Sequence, residues 1–132
     1  MVVDGAHNPD GIEALCDSID YLLGGRSIVG IIGMLRDKAY ESALSKIVPR
    51  FDMVLTVTPD SPRALSAKEL AACAQQFAGE DVSVKPVDSL KKAASIALDM
   101  TDEAAAVVVC GSLYLASDMR PLMVDMIASR KD

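Results

Sequence analysis

Apolar stretches of strand length alternate with stretches in which apolar residues recur at helical spacing, and the alternation repeats five times along the chain. Short apolar runs suit strands, whereas recurrence every three or four positions suits a helix that buries one face. The strand readings fall at residues 1–3, 27–32, 53–57, 82–84 and 105–110. Several are apolar at successive rather than alternate positions, as a sheet covered on both faces requires. The pattern predicts an α/β domain in three layers, with a mainly parallel sheet of about five strands between helices.

The helical stretches carry recognisable ends. Asn8 suits an N-cap and Pro9 the first helical position. Ile12, Leu15, Cys16, Ile19, Leu22 and Leu23 then recur at helical spacing, with Glu13, Asp17 and Asp20 opposite and Gly24-Gly25 as a stop. A second helix over 38–48 would bury Ala43, Leu44, Ile47 and Val48. Ser66-Ala67-Lys68-Glu69 reads as a capping box, Leu70, Ala74 and Phe77 face inward, and Gly79 supplies a left-handed end. Asp88 is expected to cap a fourth helix reaching about Met100. The last begins at Ser112, and Pro121 must kink or divide it, because its ring removes a backbone donor.

With 132 residues and no linker, repeat or charge run, one domain is expected. An apolar fraction of 51% excludes disorder, and the longest apolar runs, 28–35 and 104–110, are far below a membrane span. The net charge of −6, with no basic stripe, argues against a nucleic-acid partner. The start lacks an export signal, so a cytoplasmic home is expected. Cys16, Cys73 and Cys110 lack CxxC spacing and sit in apolar patterns, as reduced structural thiols do. A single histidine with no Cys/His cluster offers no zinc site.

In doubly wound sheets, ligands gather at the carboxyl ends of the strands. There the sequence concentrates its chemistry: Asp4, His7, Asn8, Arg36, Asp37, Lys38, Asp60, Ser61, Arg63 and Ser112. The loop Asp4-Gly5-Ala6-His7-Asn8-Pro9 opens a helix whose free N–H groups favour a phosphate. Either Asp4 accepts from ribose hydroxyls and His7 reaches phosphate or base, or both merely finish a strand and decorate a turn. Arg36 and Lys38 either hold a carboxylate or phosphate, with Asp37 capping the helix, or form a solvated loop with a local ion pair. The prolines around Arg63 stiffen its loop, and Arg63 is a further anion candidate. Ser112 either caps the last helix or bonds substrate. No GxSxG elbow accompanies it, so it is not read as a nucleophile. Neither GxxxxGK[ST] nor GxGxxG occurs, so the phosphates of any nucleotide must be cradled mainly from elsewhere.

Taken together, Asp4-Gly5-Ala6-His7-Asn8-Pro9, Gly33-Met34-Leu35-Arg36-Asp37-Lys38, Ser61-Pro62-Arg63-Ala64-Leu65 and Cys110-Gly111-Ser112-Leu113-Tyr114-Leu115 resemble the C-terminal domain of folylpolyglutamate synthase and dihydrofolate synthase, in the Mur ligase superfamily. The motifs keep the family's order and cover essentially the whole chain. The resemblance implies a Rossmann-like fold of the Mur ligase C-terminal type and ATP-dependent addition of L-glutamate to folate or dihydropteroate through an acyl phosphate. It implies nucleotide contacts from Asp4, His7 and Asn8, and glutamate or domain-closure contacts from Arg36, Lys38, Arg63 and Ser112. No catalytic base and no metal ligand is assigned to this chain. ATP and magnesium are the implied cofactors, with the magnesium ligands and the P-loop in an N-terminal ATPase domain that residues 1–132 do not include.

Family domains also carry an antiparallel strand, with an ATP-binding arginine, ahead of the first motif. Met1 stands almost at that motif, so a fragment of a longer ligase, inactive alone, is the expected explanation. The alternatives are a freestanding regulatory module that binds a nucleotide or an amino acid, and a small hydrolase using His7.

Overall fold

A computed structural model describes residues 2–5, 9–36, 39–100 and 105–131. In chain order the elements are β1 (Val2–Val3), α1 (Pro9–Leu23), β2 (Ser27–Ile32), α2 (Tyr40–Ile47), β3 (Met53–Thr56), α3 (Ala67–Ala78), β4 (Ser83–Pro86), α4 (Leu90–Met100), β5 (Ala105–Cys110) and α5 (Leu113–Lys131). The strands form one sheet in the order β1-β5-β2-β3-β4, and each pairing is parallel. β5 lies between β1 and β2, with Val108 opposite both Val2 and Gly30.

Two apolar cores, one on each face of the sheet, explain why the inner strands are hydrophobic at successive positions. On one face Ile28, Ile32, Val54 and Val108 pack beneath α1, α2 and α3. On the other, Val29, Ile31, Leu55, Val107 and Val109 pack beneath α4 and α5, which contribute Ala93, Ala94, Ala97, Leu115, Met119 and Met123. The chain thus steps from β1 to β4 over one face and returns to β5 over the other, as a constant crossover hand demands.

Several boundaries shift from the sequence reading. β4 is displaced toward Pro86, which sits on an edge strand where a missing N–H is harmless, and Val87 continues the register by donating to Thr56 O at 2.9 Å. The cap of α4 is Ser89 rather than Asp88: its Oγ accepts from Lys92 N at 3.1 Å. α2 starts at Tyr40 and gives way after Ile47 to a 3₁₀ turn, Val48–Arg50, that accommodates Pro49. Leu22, read as part of the inward face of α1, is 64% exposed, whereas Leu23 is buried. Pro121 does not divide α5, which runs on through it. The capping box at Ser66 and Glu69 forms as expected, and Gly25 and Gly79 have positive φ at the helix ends.

Inside β2, Gly30 leaves room for the Phe51 ring, whose nearest carbons lie 2.4 Å from where a β-carbon would stand. Gly30→Ala is expected to cost roughly 1–3 kcal/mol, the range for overpacking. Phe51→Leu in the same chain should return part of that loss, measured by denaturant unfolding. The cysteines provide a second check. Burial pushes all three thiols above the usual value, with Asp4 adding to the effect at Cys110. Thiolate is therefore scarce near neutrality, and access decides the order of reaction. Native alkylation at about pH 8 should modify half-buried Cys73 ahead of buried Cys16 and Cys110, read by peptide mass.

Candidate functional site

β5 is followed by a helix on one face, while its neighbours β1 and β2 are followed by helices on the other. The loops leaving these strands therefore part company at their carboxyl ends, which opens a crevice at the point where ligands bind in such sheets. Backbone contacts hold its walls together. Asp4 N donates to Val109 O at 2.9 Å, and Gly33 N to Cys110 O at 3.3 Å. Gly111 has φ +109°, and a β-carbon on it would lie 2.4 Å from Gly33 O, so this approach needs glycine.

The loops after β2 and β3 are joined to each other. Leu35 and Ala64 form an antiparallel bridge; Arg36 N donates to Arg63 O and Leu65 N to Met34 O, each at 2.9 Å. This places Arg36 and Arg63, 27 positions apart by the difference of their numbers, on facing backbone segments. The loop after β3 is itself a compact turn, with Ala64 N on Ser61 O at 3.1 Å and Arg63 N on Ser61 Oγ at 3.3 Å. Beneath it, Thr56 Oγ1 donates to Ala67 O at 2.7 Å, and Ala67 N donates to Thr58 Oγ1 at 2.9 Å, which fixes the start of α3 to the end of β3.

The expected site residues divide accordingly. Asp4 is half-buried at the end of β1, beside Cys110. Arg36 and Arg63 are brought together, both exposed. Ser112 is 1% exposed, and its Oγ accepts from Leu115 N at 3.2 Å, so it caps α5. His7, Asn8, Asp37 and Lys38 lie outside the described residues.

Two features escaped the sequence reading. Glu69, read there only as half of a capping box, also binds Arg36: its carboxylate takes NH1 at 3.0 Å on one oxygen and NH2 on the other. The second is a cleft of about 320 Å³ between the β3–α3 loop and the first turns of α5, lined by Asp60, Leu113, Tyr114, Ser117 and Asp118. The positions 114, 117 and 118 share a helical face, a spacing that was legible but had no motif to mark it. Leu113 and Tyr114 are 64% and 52% exposed, large apolar surface at the crevice's rim.

Among the described residues, no cluster of three or more His, Cys, Asp or Glu side chains is arranged to hold a metal ion. The hydrogen bonds from Arg36 and Ser66 hold the Glu69 carboxyl below its ordinary value of 4.5. Its contribution to stability is thus complete above that value and is lost as pH falls through the lower folded value. The stability difference between the native chain and Glu69→Gln should accordingly be largest near neutrality and close in acid, followed by urea unfolding across pH.

Comparison with known proteins matches the family model described as the Mur ligase, glutamate ligase domain over residues 1–113. The chain is 32% identical to a dihydrofolate synthase/folylpolyglutamate synthase of Mycobacterium tuberculosis, across 92% of this chain and 28% of that protein. Its fold matches M. tuberculosis folylpolyglutamate synthase complexed with ADP at TM-score 0.80 and 30% identity, covering 91% of this chain and 29% of the other. It also matches a bifunctional folylpolyglutamate synthase/dihydrofolate synthase with Mn, AMPPNP and L-glutamate bound, at TM-score 0.70 and 28% identity, covering 90% and 28%. The chain spans under a third of these relatives' length. On this match, and with a three-layer parallel sheet whose carboxyl-end loops converge on one crevice, the chain belongs to the Mur ligase glutamate ligase domain family.

Proposed function

We propose that this chain is the C-terminal domain of an ATP-dependent ligase that adds L-glutamate to folate or dihydropteroate, and that it works together with an N-terminal P-loop ATPase domain of the same polypeptide. The observation that carries the reading is the convergence of four loops, those after β1, β2, β3 and β5, on one sheet edge in a domain of this family. The relatives' complexes with ADP, with AMPPNP and Mn, and with L-glutamate support the substrate classes.

In the proposed reaction ATP phosphorylates the acceptor carboxylate to an acyl phosphate and leaves ADP. The glutamate amine then attacks the acyl carbon, an amide bond forms, and phosphate departs. Asp4, His7 and Asn8 contact the nucleotide; Asp4, held by Val109 at the end of β1, suits a ribose hydroxyl. Arg36, Lys38 and Arg63 contact the glutamate carboxylates or the closing domain, since paired cations on adjoining loops suit a dicarboxylate. Ser112 serves closure by fixing the start of α5, its Oγ being engaged there. Magnesium belongs to the ATPase domain. Use of ATP argues for the cytoplasm, and no helix among the described residues is long and apolar enough to cross a membrane.

The test is glutamate ligation by the full-length polypeptide. Arg36→Ala and Arg63→Ala should each raise KM for glutamate roughly tenfold or more, the loss of a charge-assisted bond, while leaving KM for ATP nearly unchanged. Asp4→Ala should do the reverse. Ligation that is indifferent to all three would overturn the assignment. Tight nucleotide or glutamate binding by the chain alone, measured by calorimetry, would favour a freestanding regulatory module.

A further inference from the structure

Arg36 is fixed at both ends. Its backbone N–H is bound to Arg63 O across the bridge between the two loops, and its guanidinium lies end-on against Glu69, both terminal nitrogens engaging both carboxylate oxygens. Glu69 is in turn immobilised by the start of α3. Its Oε1 accepts from Ser66 N at 3.4 Å and Oγ at 3.1 Å, while its own N–H donates to Ser66 Oγ at 3.1 Å. That helix start is tied to β3 through Thr56 and Thr58. A continuous set of bonds therefore runs from the central sheet to one exposed guanidinium.

Such a pair, with both side chains about half exposed, contributes little to stability. Its effect on geometry is larger. An arginine has a long, many-rotamer side chain, and a free one must lose much of that freedom on meeting a ligand. The end-on contact uses one N–H of each terminal nitrogen, and a guanidinium has five, so three remain, of which Nε–H and one terminal N–H share an edge and form a second fork for another acceptor.

We propose that Glu69 is the positioning residue for Arg36, holding its guanidinium ordered at the carboxyl edge of the sheet so that the incoming amino acid's carboxylate meets a donor set already in place. This rests on the reading of Arg36 as a carboxylate contact. Glu69 touches no substrate; it acts through Arg36, and it links substrate affinity to the helix start that it also caps.

The two duties of Glu69 can be separated in the full-length ligase. Glu69→Gln keeps a side-chain oxygen able to serve the capping box but loses the charged fork. Ser66→Ala removes the cap and leaves the fork's two partners in place. Glu69→Gln should raise KM for glutamate about three- to tenfold, the cost of ordering one long side chain, with kcat within about twofold and KM for ATP unchanged. Ser66→Ala should lower Tm and raise KM for glutamate by less than Glu69→Gln does, because it removes one restraint on Glu69 and keeps the charged fork. In an Arg36→Ala background Glu69→Gln should add nothing. An unchanged KM in Glu69→Gln, with Arg36→Ala still impaired, overturns the positioning role alone. A lowered KM overturns it too, making Glu69 a competitor for Arg36, and so does an effect of Glu69→Gln that persists without Arg36. If Arg36→Ala itself leaves KM for glutamate unchanged, the underlying reading of Arg36 fails, and the inference with it.

Discussion

The structure depends on the placement of β5 (Ala105–Cys110) between β1 and β2. Its residues from Ala106 to Cys110 are all buried, with Val107 and Val109 turned to one core and Ala106, Val108 and Cys110 to the other. A strand with two dry faces must be roofed on both sides, and helices supply both roofs. Because β5 is the last strand in sequence yet not at an edge, the helix that follows it leaves on the face opposite those that follow its neighbours. The crevice at the carboxyl ends is a geometric by-product of covering the sheet. Packing makes the gap; the polar residues furnish it.

That much was legible from the chain. Unbroken apolar runs at 27–32 and 105–110 required a sheet buried on two sides, and Ser66 and Glu69 at capping-box spacing marked a helix that forms as read. What failed were end effects. Leu22 keeps the helical period of α1, but its position overlooks the open side of edge strand β1, so the period carries it past the core. Asp88 and Ser89 both satisfy cap chemistry, and pattern alone does not choose between neighbours. Pro121 permits both a kinked helix and a broken one, and the packing of Met119 and Met123 against the sheet keeps α5 in one piece.

The site was legible as a set of loops and not as a set of contacts. Four motifs at strand ends pointed to one edge, and the topology brings the described ones together. The pairing of Arg36 with Glu69, however, spans 33 positions and depends on how two loops meet. Nothing local to either residue announces it. Ser112 shows the opposite case: its hydroxyl oxygen makes the helix cap that the local sequence offers, and the residue is buried.

The antiparallel bridge between Leu35 and Ala64 has a bearing on how this domain can vary. Surface loops ordinarily tolerate insertions because each closes independently and lengthening costs little. Here the two loops are laced by two backbone hydrogen bonds flanking the Leu35–Ala64 pair, so neither can gain or lose a residue before its crossing point without slipping out of step with the other. Their lengths form a single inherited measurement. Any domain that keeps this lacing must keep both spans or change them in concert, even where the side chains between them are free to differ.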